Sequence, residues 1–208
     1  MLKISNLSIQ RDQQLYRYDL HLETGTALLI SGPSGHGKST LLDAIAGYVE
    51  IESGHIVWNQ QMIETMPAAS RPVSYLFQEH NLFDHLTITQ NLAIALGHLT
   101  LNERNQALTE LDIAEQADKF PTQLSGGQRL RAAIIAATLR PEPVLLLDEP
   151  FRELDPATRQ KTLAWCMKNV ALLNKTLIVV SHNKEDGVQI KEQFPDLQEY
   201  QINQGNLQ

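Results

Sequence analysis

The feature that most constrains this chain is the octapeptide Gly-Pro-Ser-Gly-His-Gly-Lys-Ser at residues 32–39, which fits the phosphate-loop pattern GxxxxGK[ST]. Residues 27–30, just before it, are all apolar and predict a buried strand. Residues 38–46 carry apolar side chains at helical spacing, and the following Gly47 is typical of a helix stop. The octapeptide therefore has the strand, loop and helix context that a phosphate-binding loop requires.

The residue types in this loop predict its chemistry. Its glycines allow a tight turn that directs successive backbone N–H groups at a polyanion, beside the positive end of a helix dipole. Lys38 is expected to reach the β- and γ-phosphates of a nucleoside triphosphate, and Ser39 to ligate its Mg²⁺. His36 occupies a free position of the pattern and is assigned no catalytic role. The residues assigned to nucleotide binding here are Gly32, Pro33, Ser34, Gly35, His36, Gly37, Lys38, Ser39 and Thr40.

Composition excludes several classes of protein. A chain of 208 residues is long enough to bury the core of one domain. The formal charge of -7 argues against a general nucleic-acid binder. The single cysteine, Cys166, argues against a disulfide framework and is interpreted as a small buried apolar residue. No apolar run approaches the ~20 residues that span a bilayer, so we expect any membrane role to come through a partner.

The order of predicted elements indicates an α/β fold. Alternating apolar residues at 2–9 and 16–22, with a short strand at 55–59, predict a small antiparallel sheet with a turn near residues 11–14. Further strands alternate with helices, which predicts a mainly parallel sheet that binds ligands at the carboxyl ends of its strands. Residues 79–123, or up to 140, predict an inserted helical subdomain. We expect residues 1–208 to form a single domain.

Two carboxylates, Asp148 and Glu149, follow the apolar strand predicted at residues 144–147. In P-loop hydrolases an aspartate at this place holds Mg²⁺, usually through water, and Asp148 matches that role. Glu149 is placed to orient and polarise an attacking water, so it is our choice of general base. The alternative, two solvated acids in a loop, gives no reason for an apolar strand that ends in Asp-Glu-Pro.

A second phosphate cradle is predicted at residues 124–128, Leu-Ser-Gly-Gly-Gln, directly before a helix. Ser125 and the backbone N–H groups of Gly126 and Gly127 are suited to bind phosphate there. Two cradles and one nucleotide site per chain favour a two-fold dimer in which each chain's second cradle closes the other chain's first. The arginines of this helix alternate with an apolar face and are interpreted as its solvated side rather than as a nucleic-acid contact. They are Arg129, Arg131 and Arg140.

These motifs together resemble the ATP-binding subunit of an ABC transporter over nearly the whole chain. The motifs are residues 32–39, Gln78, residues 124–128, residues 147–150, Asp155 and His182. The resemblance implies a P-loop ABC ATPase fold, ATP and Mg²⁺ as cofactors, a homodimer of ATPase subunits and integral-membrane permease subunits. It also implies an extracytoplasmic solute-binding protein within the complex, and a peripheral position at the cytoplasmic face of the cell membrane.

The same resemblance assigns roles to single residues. It implies that Gln78 is the Q-loop glutamine, which serves catalysis and the metal, that Asp155 is the D-loop aspartate, and that His182 is the switch histidine near the γ-phosphate. The assigned catalytic residues are Glu149, His182 and Gln78. The assigned metal ligands are Ser39, Gln78 and Asp148. The assigned residues of the second cradle and the D-loop are Ser125, Gly126, Gly127, Gln128 and Asp155.

The chain departs from the family pattern at two places. Where the family usually has Ser-Ala-Leu-Asp, this chain has Arg-Glu-Leu-Asp at residues 152–155, which puts charges at an expected dimer interface. At the position where the family stacks adenine the chain has Arg11 rather than an aromatic residue, and Tyr16 is the second candidate. We expect either Tyr16 or Tyr18 to pack in the core while the other reaches the base.

Residues 71–78 and 81–87 are similar to bacterial importers that use a binding protein, particularly the thiamine type, so import is the expected direction. One alternative is a soluble ABC-type ATPase that acts on a macromolecule, which predicts a basic surface or a long coiled-coil insertion. The second alternative is a P-loop kinase of small metabolites, which gives no account of residues 124–128 or of Glu149.

Overall fold

The computed structural model describes residues 1–11, 13–79, 81–203 and 206–207, and over these ranges ten strands form one sheet. The strands are β1 Leu2–Arg11, β2 Gln14–Leu22, β3 Ala27–Ser31, β4 Ser53–Trp58, β5 Gln61–Met62, β6 Val73–Leu76, β7 Val144–Asp148, β8 Thr176–Val180, β9 Gln198–Asn203 and β10 Asn206–Leu207. The helices are α1 Lys38–Ala46, α2 Ile88–Ala95, α3 Leu101–Glu110, α4 Gly126–Leu139, α5 Pro156–Leu172 and α6 Lys184–Gln193.

The sheet has a parallel half and an antiparallel half, in the order β5-β4-β1-β2-β10-β9-β3-β8-β7-β6. Strands β9, β3, β8, β7 and β6 run parallel, whereas β5, β4, β1 and β2 are antiparallel neighbours. This confirms the predicted parallel core with a small antiparallel sheet. The two halves are joined by β10, which pairs antiparallel with β9 and parallel with β2.

The central strands are buried on both faces because helices or other strands cover each side of the sheet. Leu28 and Ile30 of β3 belong to one core cluster, which includes α1 and the antiparallel strands. Leu29, between them, belongs to the other cluster, which includes α2, α4 and α5. Successive residues of a strand point to opposite faces, so one short apolar run fills both cores. The strand tips that follow are therefore held from two sides.

Strand register brings the predicted site residues to one edge of the sheet. Leu29 of β3 lies opposite Val179 of β8, which lies opposite Leu147 of β7, and Leu147 lies opposite Leu76 of β6. Because these strands are parallel, the segments that follow them leave the sheet at the same edge. Those segments begin at residues 32, 77, 149 and 181.

The element ends with strong local signals lie close to their predicted positions. Helix α1 ends at Ala46, and Gly47 adopts φ 88° while its N–H donates to the carbonyls of Asp43 and Ala44. The Asp155-Pro156 pair predicts the start of a helix that runs to about residue 174. Helix α5 begins at Pro156 with Asp155 as its N-cap and ends at Leu172, two residues before the predicted end. The strand predicted at residues 55–59 is β4, which begins two residues earlier, at Ser53. Of the predicted turn at 11–14, residue 12 lies outside the described residues.

The segment between β6 and β7 is helical, as predicted, and contains α2, α3 and α4. Ile88, Leu92 and Leu96, spaced four apart, are fully buried, whereas Ala93 is exposed. The buried face of α2 thus follows this four-residue spacing. Among the described residues, no helix combines the length and apolarity needed to cross a membrane.

Cys166 of α5 is fully buried, as predicted, and its thiol sulfur lies 3.3 Å from Oγ1 of Thr138. Burial raises the pKa of the thiol to about 12, so the sulfur is a protonated thiol at neutral pH. It therefore packs as a small apolar group.

Candidate functional site

The predicted phosphate loop joins β3 to α1 and is shaped by glycines with positive φ. Gly32 has φ 135°, Gly35 has φ 78° and Gly37 has φ 102°, values that L side chains rarely adopt. A Cβ at Gly32 would lie 2.3 Å from the carbonyl oxygen of Ile202, whereas a Cβ at Gly35 would have nothing within 4 Å. The loop is therefore tightly packed at its base and open at its tip, which is the shape a phosphate cradle needs.

Two tyrosines of β2 support the loop from below. The Tyr16 hydroxyl donates to the carbonyl of Gly35 at 3.3 Å, and the Tyr18 hydroxyl donates to the carbonyl of Gly37 at 2.8 Å. Both side chains are buried and their rings are parallel. The expectation that one tyrosine packs inside while the other reaches outward was wrong, because residues two apart in a strand share a face. Burial also raises the pKa of Tyr18, which keeps its hydroxyl a donor.

Lys38 lies inside the loop. Its Nζ donates to the carbonyl oxygens of Gly32 and Pro33, both at 2.8 Å, and the residue is only 5% exposed. Burial lowers the pKa of Lys38, and the nearby carboxylates of Glu149 and Asp148 oppose that shift. The ammonium group is thus held at the mouth of the loop, and phosphate oxygens can replace the carbonyls as its acceptors.

Asp148 ends β7 and forms a side-chain hydrogen bond with Ser39, the residue after Lys38. Burial raises the pKa of Asp148, while the Ser39 hydrogen bond acts against the rise. A hydroxyl and a carboxylate are hard oxygen donors of the kind Mg²⁺ prefers. Mg²⁺ usually takes only one or two protein ligands and completes its shell with water and substrate phosphates. The two side chains therefore fit the predicted metal.

Glu149 adopts φ 47°, an uncommon backbone conformation for a residue other than glycine, and its N–H donates to the carbonyl of Val180 at 3.0 Å. This turn directs one carboxylate oxygen to a histidine and the other to an arginine. Oε1 lies 2.9 Å from Nε2 of His182, and Oε2 lies 3.1 Å from Nη1 of Arg152. The structure thus brings two of the predicted catalytic residues into direct contact.

Two cavities meet at Glu149 and Arg152. The larger, of about 560 Å³, is also lined by Gln78, Asp148 and Gly126. The smaller, of about 410 Å³, is also lined by Ser34 and His182. Gln78 therefore shares a cleft with the predicted metal ligand, and the phosphate loop shares a cavity with His182.

The second predicted cradle lies at the N-terminus of α4. Ser125 is the N-cap: its Oγ accepts from the N–H of Gln128 at 3.3 Å, and the Gln128 side chain accepts from the N–H of Ser125 at 3.0 Å. This capping box gives the serine and the glutamine structural partners. Of residues 125–128, Gly126 lines the larger cavity, whereas the phosphate-loop residue Ser34 lines the smaller one.

The residues next to the second cradle differ from the expected arrangement. A Cβ on Gly126 would lie 2.8 Å from Oε2 of Glu153, so that carboxylate sits against the start of α4. Arg131 was predicted to be solvated, but its guanidinium donates to the carbonyls of Leu111 and Gly127 at 2.6 and 3.2 Å. It therefore holds the helix in place, because a half-buried guanidinium satisfies backbone acceptors nearby.

Asp155, the predicted D-loop aspartate, is exposed and caps α5, accepting from the N–H of Thr158 at 3.1 Å. Arg11, the predicted base contact, is paired with Asp43 of α1 at 2.9 Å, and Asp43 also accepts from the Tyr75 hydroxyl at 3.2 Å. The guanidinium of Arg11 is thus anchored beside the helix that carries the phosphate loop.

Sequence reasoning missed two groups of hydrogen-bonded polar residues near the site. Ser181, Asp186 and Arg159 form a hydrogen-bonded cluster beside His182, and Asp43 links Arg11 to Tyr75. One usable signal was present, since Ser181 directly precedes His182 at a strand tip. The pairing of α5 with α6, which completes the cluster, has no local sequence signature.

The chain belongs to the ABC transporter family, since residues 15–152 match the family described as ABC transporter. It is an ATP-binding and ATP-hydrolysing subunit that works with Mg²⁺. Among curated relatives, the thiamine import ATP-binding protein ThiQ of Photorhabdus laumondii is 43% identical, with 91% of this chain and 83% of that protein covered. The ThiQ of Yersinia pseudotuberculosis is 44% identical with the same coverage, and that of Aliivibrio fischeri is 36% identical over 100% of this chain and 92% of that protein.

A similar solved structure is an ATP-binding cassette described as a dimer in a post-hydrolysis state bound to ADP and Pi. It has a TM-score of 0.86, 23% identity, and coverage of 100% of this chain and 97% of that one. This similarity confirms the predicted P-loop ABC ATPase fold.

Proposed function

We propose that this chain is the ATPase subunit of a thiamine importer. The observation that carries the proposal is the 43–44% identity, over 91% of the chain, to proteins named as thiamine import ATP-binding proteins. In this proposal the chain forms a homodimer, binds integral-membrane permease subunits at the cytoplasmic face of the cell membrane, and powers import of a solute delivered by an extracytoplasmic binding protein.

The proposed roles in nucleotide binding follow from the geometry of the loop. The phosphates lie against the backbone N–H groups of residues 34–40, and the Lys38 ammonium exchanges its two carbonyl acceptors for phosphate oxygens. Ser39 and Asp148 hold Mg²⁺, with Gln78 at the edge of the same cleft. When bound, the ion neutralises charge that develops on the phosphates. Arg11, held by Asp43, faces the base.

The proposed catalytic roles belong to Glu149 and His182. Glu149 accepts a proton from the attacking water, and its carboxylate must point at the phosphate loop for this. His182 supports that orientation through the 2.9 Å contact between its Nε2 and Oε1 of Glu149. In the single chain, Arg152 pairs with the second carboxylate oxygen of Glu149. In this proposal, dimer closure moves Arg152 away, and the attacking water replaces its guanidinium at that oxygen.

The proposed dimer completes each site with the other chain's second cradle. The N–H groups of Gly126 and Gly127 lie in the first turn of α4, where a helix binds anions. Ser125 and Asp155 are exposed at the starts of α4 and α5, so a second copy can reach both. Arg152 and Glu153 add charges of both signs to the same surface.

The proposed permease contact is the inserted helical segment between β6 and β7. Phe83 and Ile94 are large apolar residues there that are 53% and 61% exposed, and Phe83 is only five residues from Gln78 in the chain. A photocrosslinker at Phe83 is expected to capture a co-expressed permease. The same crosslinker at Leu172, also apolar and 71% exposed but on α5, serves as the control and should not capture it. Equal capture at both positions, or capture only at Leu172, would place the docking surface elsewhere.

The substrate is tested by reconstitution. The chain, its permease and its binding protein are placed in lipid vesicles, and ATP-dependent entry of labelled thiamine is measured with a tenfold excess of unlabelled competitors. We expect thiamine, but not an unrelated amino acid, to compete, and Glu149→Gln to stop uptake while the complex remains assembled. Uptake that is insensitive to thiamine but driven by ATP would leave the ATPase assignment intact and refute the substrate.

A further inference from the structure

We infer that Asp186 is a positioning residue that, through Arg159 and Ser181, fixes the turn bearing His182 to the start of helix α5. The inference rests on the proposed role of His182 in the ATPase reaction. It concerns residues that lie outside all of the motifs by which this chain was assigned.

The cluster is built around the Asp186 carboxylate, which lies in the first turn of α6 and is buried. Its Oδ1 accepts from Nη2 and Nε of Arg159 at 2.6 and 3.1 Å. Its Oδ2 accepts from the hydroxyl of Ser181 at 2.5 Å. Both oxygens are thus committed, and hydrogen bonds in such a partly desolvated place are stronger and more directional than those at the surface.

Ser181 links the Asp186 carboxylate to the backbone around His182, the next residue. Its N–H donates to the carbonyl of Ile30 at 3.1 Å, and its hydroxyl oxygen also accepts from the N–H of Asn183 at 3.1 Å. The hydrogen bonds of Ser181 therefore fix the backbone on both sides of His182. The ring itself is 43% exposed as a side chain, so its direction toward Glu149 depends on this turn more than on packing.

Arg159 links the Asp186 carboxylate to helix α5. It lies one turn after Asp155, and its N–H donates to the carbonyl of Asp155 at 2.8 Å. Arg159, Ser181, His182 and Asp186 line the same cavity as Ser34 of the phosphate loop. A displacement of the Asp155 end of α5 would thus move His182 relative to the nucleotide.

A buried ion pair is a weak source of stability, because desolvation of the charges offsets much of their attraction. A structural role could be filled by apolar residues of similar volume. The pairing instead gives the turn a single geometry, and displacement of a catalytic group by about 1 Å can lower a rate by ~10²-fold. This favours a role in orienting His182.

The test is a double-mutant cycle measured as steady-state ATPase rate and as Mg-ATP affinity of the purified full chain. Asp186→Asn is expected to lower kcat by about tenfold or more while the Kd for Mg-ATP stays within about twofold. In a His182→Ala background, Asp186→Asn should lower kcat no further, because the group it positions is gone. Asp186→Glu, which keeps the charge, should recover part of the rate.

The control is Asp112→Asn, since Asp112 pairs with Lys161 on the same helix α5 but lies away from the cavities. It should leave kcat unchanged. If Asp186→Asn does not fold, Ser181→Ala takes its place in the cycle, because it leaves the Arg159 pair intact. Equal loss of rate from Asp186→Asn with and without His182 would overturn the inference alone. Normal turnover in His182→Ala would overturn the proposed role of His182 and the inference together.

Discussion

Asp148 and Lys38 face each other across the site with pKa values shifted in opposite directions by the same cause. Burial penalises the charged form of each, so it raises the pKa of the acid and lowers that of the base. In the proposed nucleotide complex, Mg²⁺ beside Asp148 and phosphate beside Lys38 would offset this cost of burying a charge. The ligand-free site is thus destabilised at the residues proposed to bind phosphate and metal.

We predict that Asp148→Asn raises the stability of the ligand-free chain at neutral pH by on the order of 1 kcal/mol, or about 2–4 °C in Tm. The folded pKa of Asp148 lies above its ordinary value of 3.8, so the folded state binds the proton more tightly than the unfolded state. The wild type therefore loses stability as pH rises from the ordinary pKa of the carboxyl group through its raised folded pKa. The gain from Asp148→Asn should accordingly vanish near pH 4 and be full at neutral pH.

Melting curves of both proteins between pH 4 and pH 7.5 check this prediction. Mg-ATP should stabilise the wild type and should have little effect on the Asp148→Asn variant, because a proposed metal ligand is lost. A variant that is less stable than wild type at every pH would show that the Ser39 hydrogen bond outweighs the penalty of burial.

At the scale of elements, the phosphate loop depends on strand β2 as much as on its own glycines. A Cβ on Gly37 would lie 2.4 Å from the Tyr16 ring and 2.5 Å from the Tyr18 hydroxyl oxygen. The antiparallel sheet is therefore a platform for the loop, and this explains why two consecutive inward positions of β2 carry tyrosine.

We predict that Tyr18→Phe lowers stability by about 1–1.5 kcal/mol, because the buried carbonyl of Gly37 loses its hydroxyl donor. Tyr16→Phe is the control on the same strand. The single Tyr16 hydroxyl proton is shared between Gln14 Oε1 at 3.1 Å and the Gly35 carbonyl at 3.3 Å, so the loss of its bond to the loop should cost less. Urea denaturation of both variants measures the difference. An equal loss for the two would mean that ring packing, not the hydroxyl bond, supports the loop.

Elements with local signals could be predicted, and those that depend on distant partners could not. Gly47 ends α1 and Asp155 with Pro156 starts α5, because capping is decided by neighbouring residues. Strands β9 and β10 pair with β3 and β2, which lie more than 150 residues earlier in the chain, so nothing nearby marks them. The inward direction of both Tyr16 and Tyr18 was missed because strand register decides it.

The candidate site was predictable to the same extent. Residues in short motifs, such as Lys38, Asp148 and Glu149, lie at one edge of the sheet because each follows a parallel strand. The contact of Glu149 with Arg152 could not be foreseen, because it depends on a left-handed turn at Glu149. The cluster of Asp186 with Arg159 depends on the packing of α6 against α5, which local sequence does not specify.

At the scale of the whole molecule, the proposed role of Glu149 as general base would determine how long a closed dimer lasts. We predict that Glu149→Gln keeps Mg-ATP binding but lowers hydrolysis by at least ~10²-fold, the usual size of general-base assistance. Glutamine has nearly the same shape but cannot accept the proton. Single-turnover release of phosphate measures the effect, and near-normal release would remove Glu149 from the role of base.

Slow hydrolysis in Glu149→Gln also makes the proposed dimer measurable, because ATP-bound dimers should accumulate. We predict that adding Ser125→Arg spares ATP binding to the monomer but prevents the dimer, since a large side chain then fills the second cradle. The substitution also removes the N-cap of α4, at about 1 kcal/mol. Thr100→Arg is therefore the matched control: Thr100 is likewise an exposed N-cap with a capping box, on α3. Sedimentation with ATP should show dimers for Glu149→Gln and for Glu149→Gln with Thr100→Arg, and monomers for Glu149→Gln with Ser125→Arg. Dimers of that last variant at the same ATP concentration would contradict the head-to-tail arrangement, because its defining contact would then be dispensable.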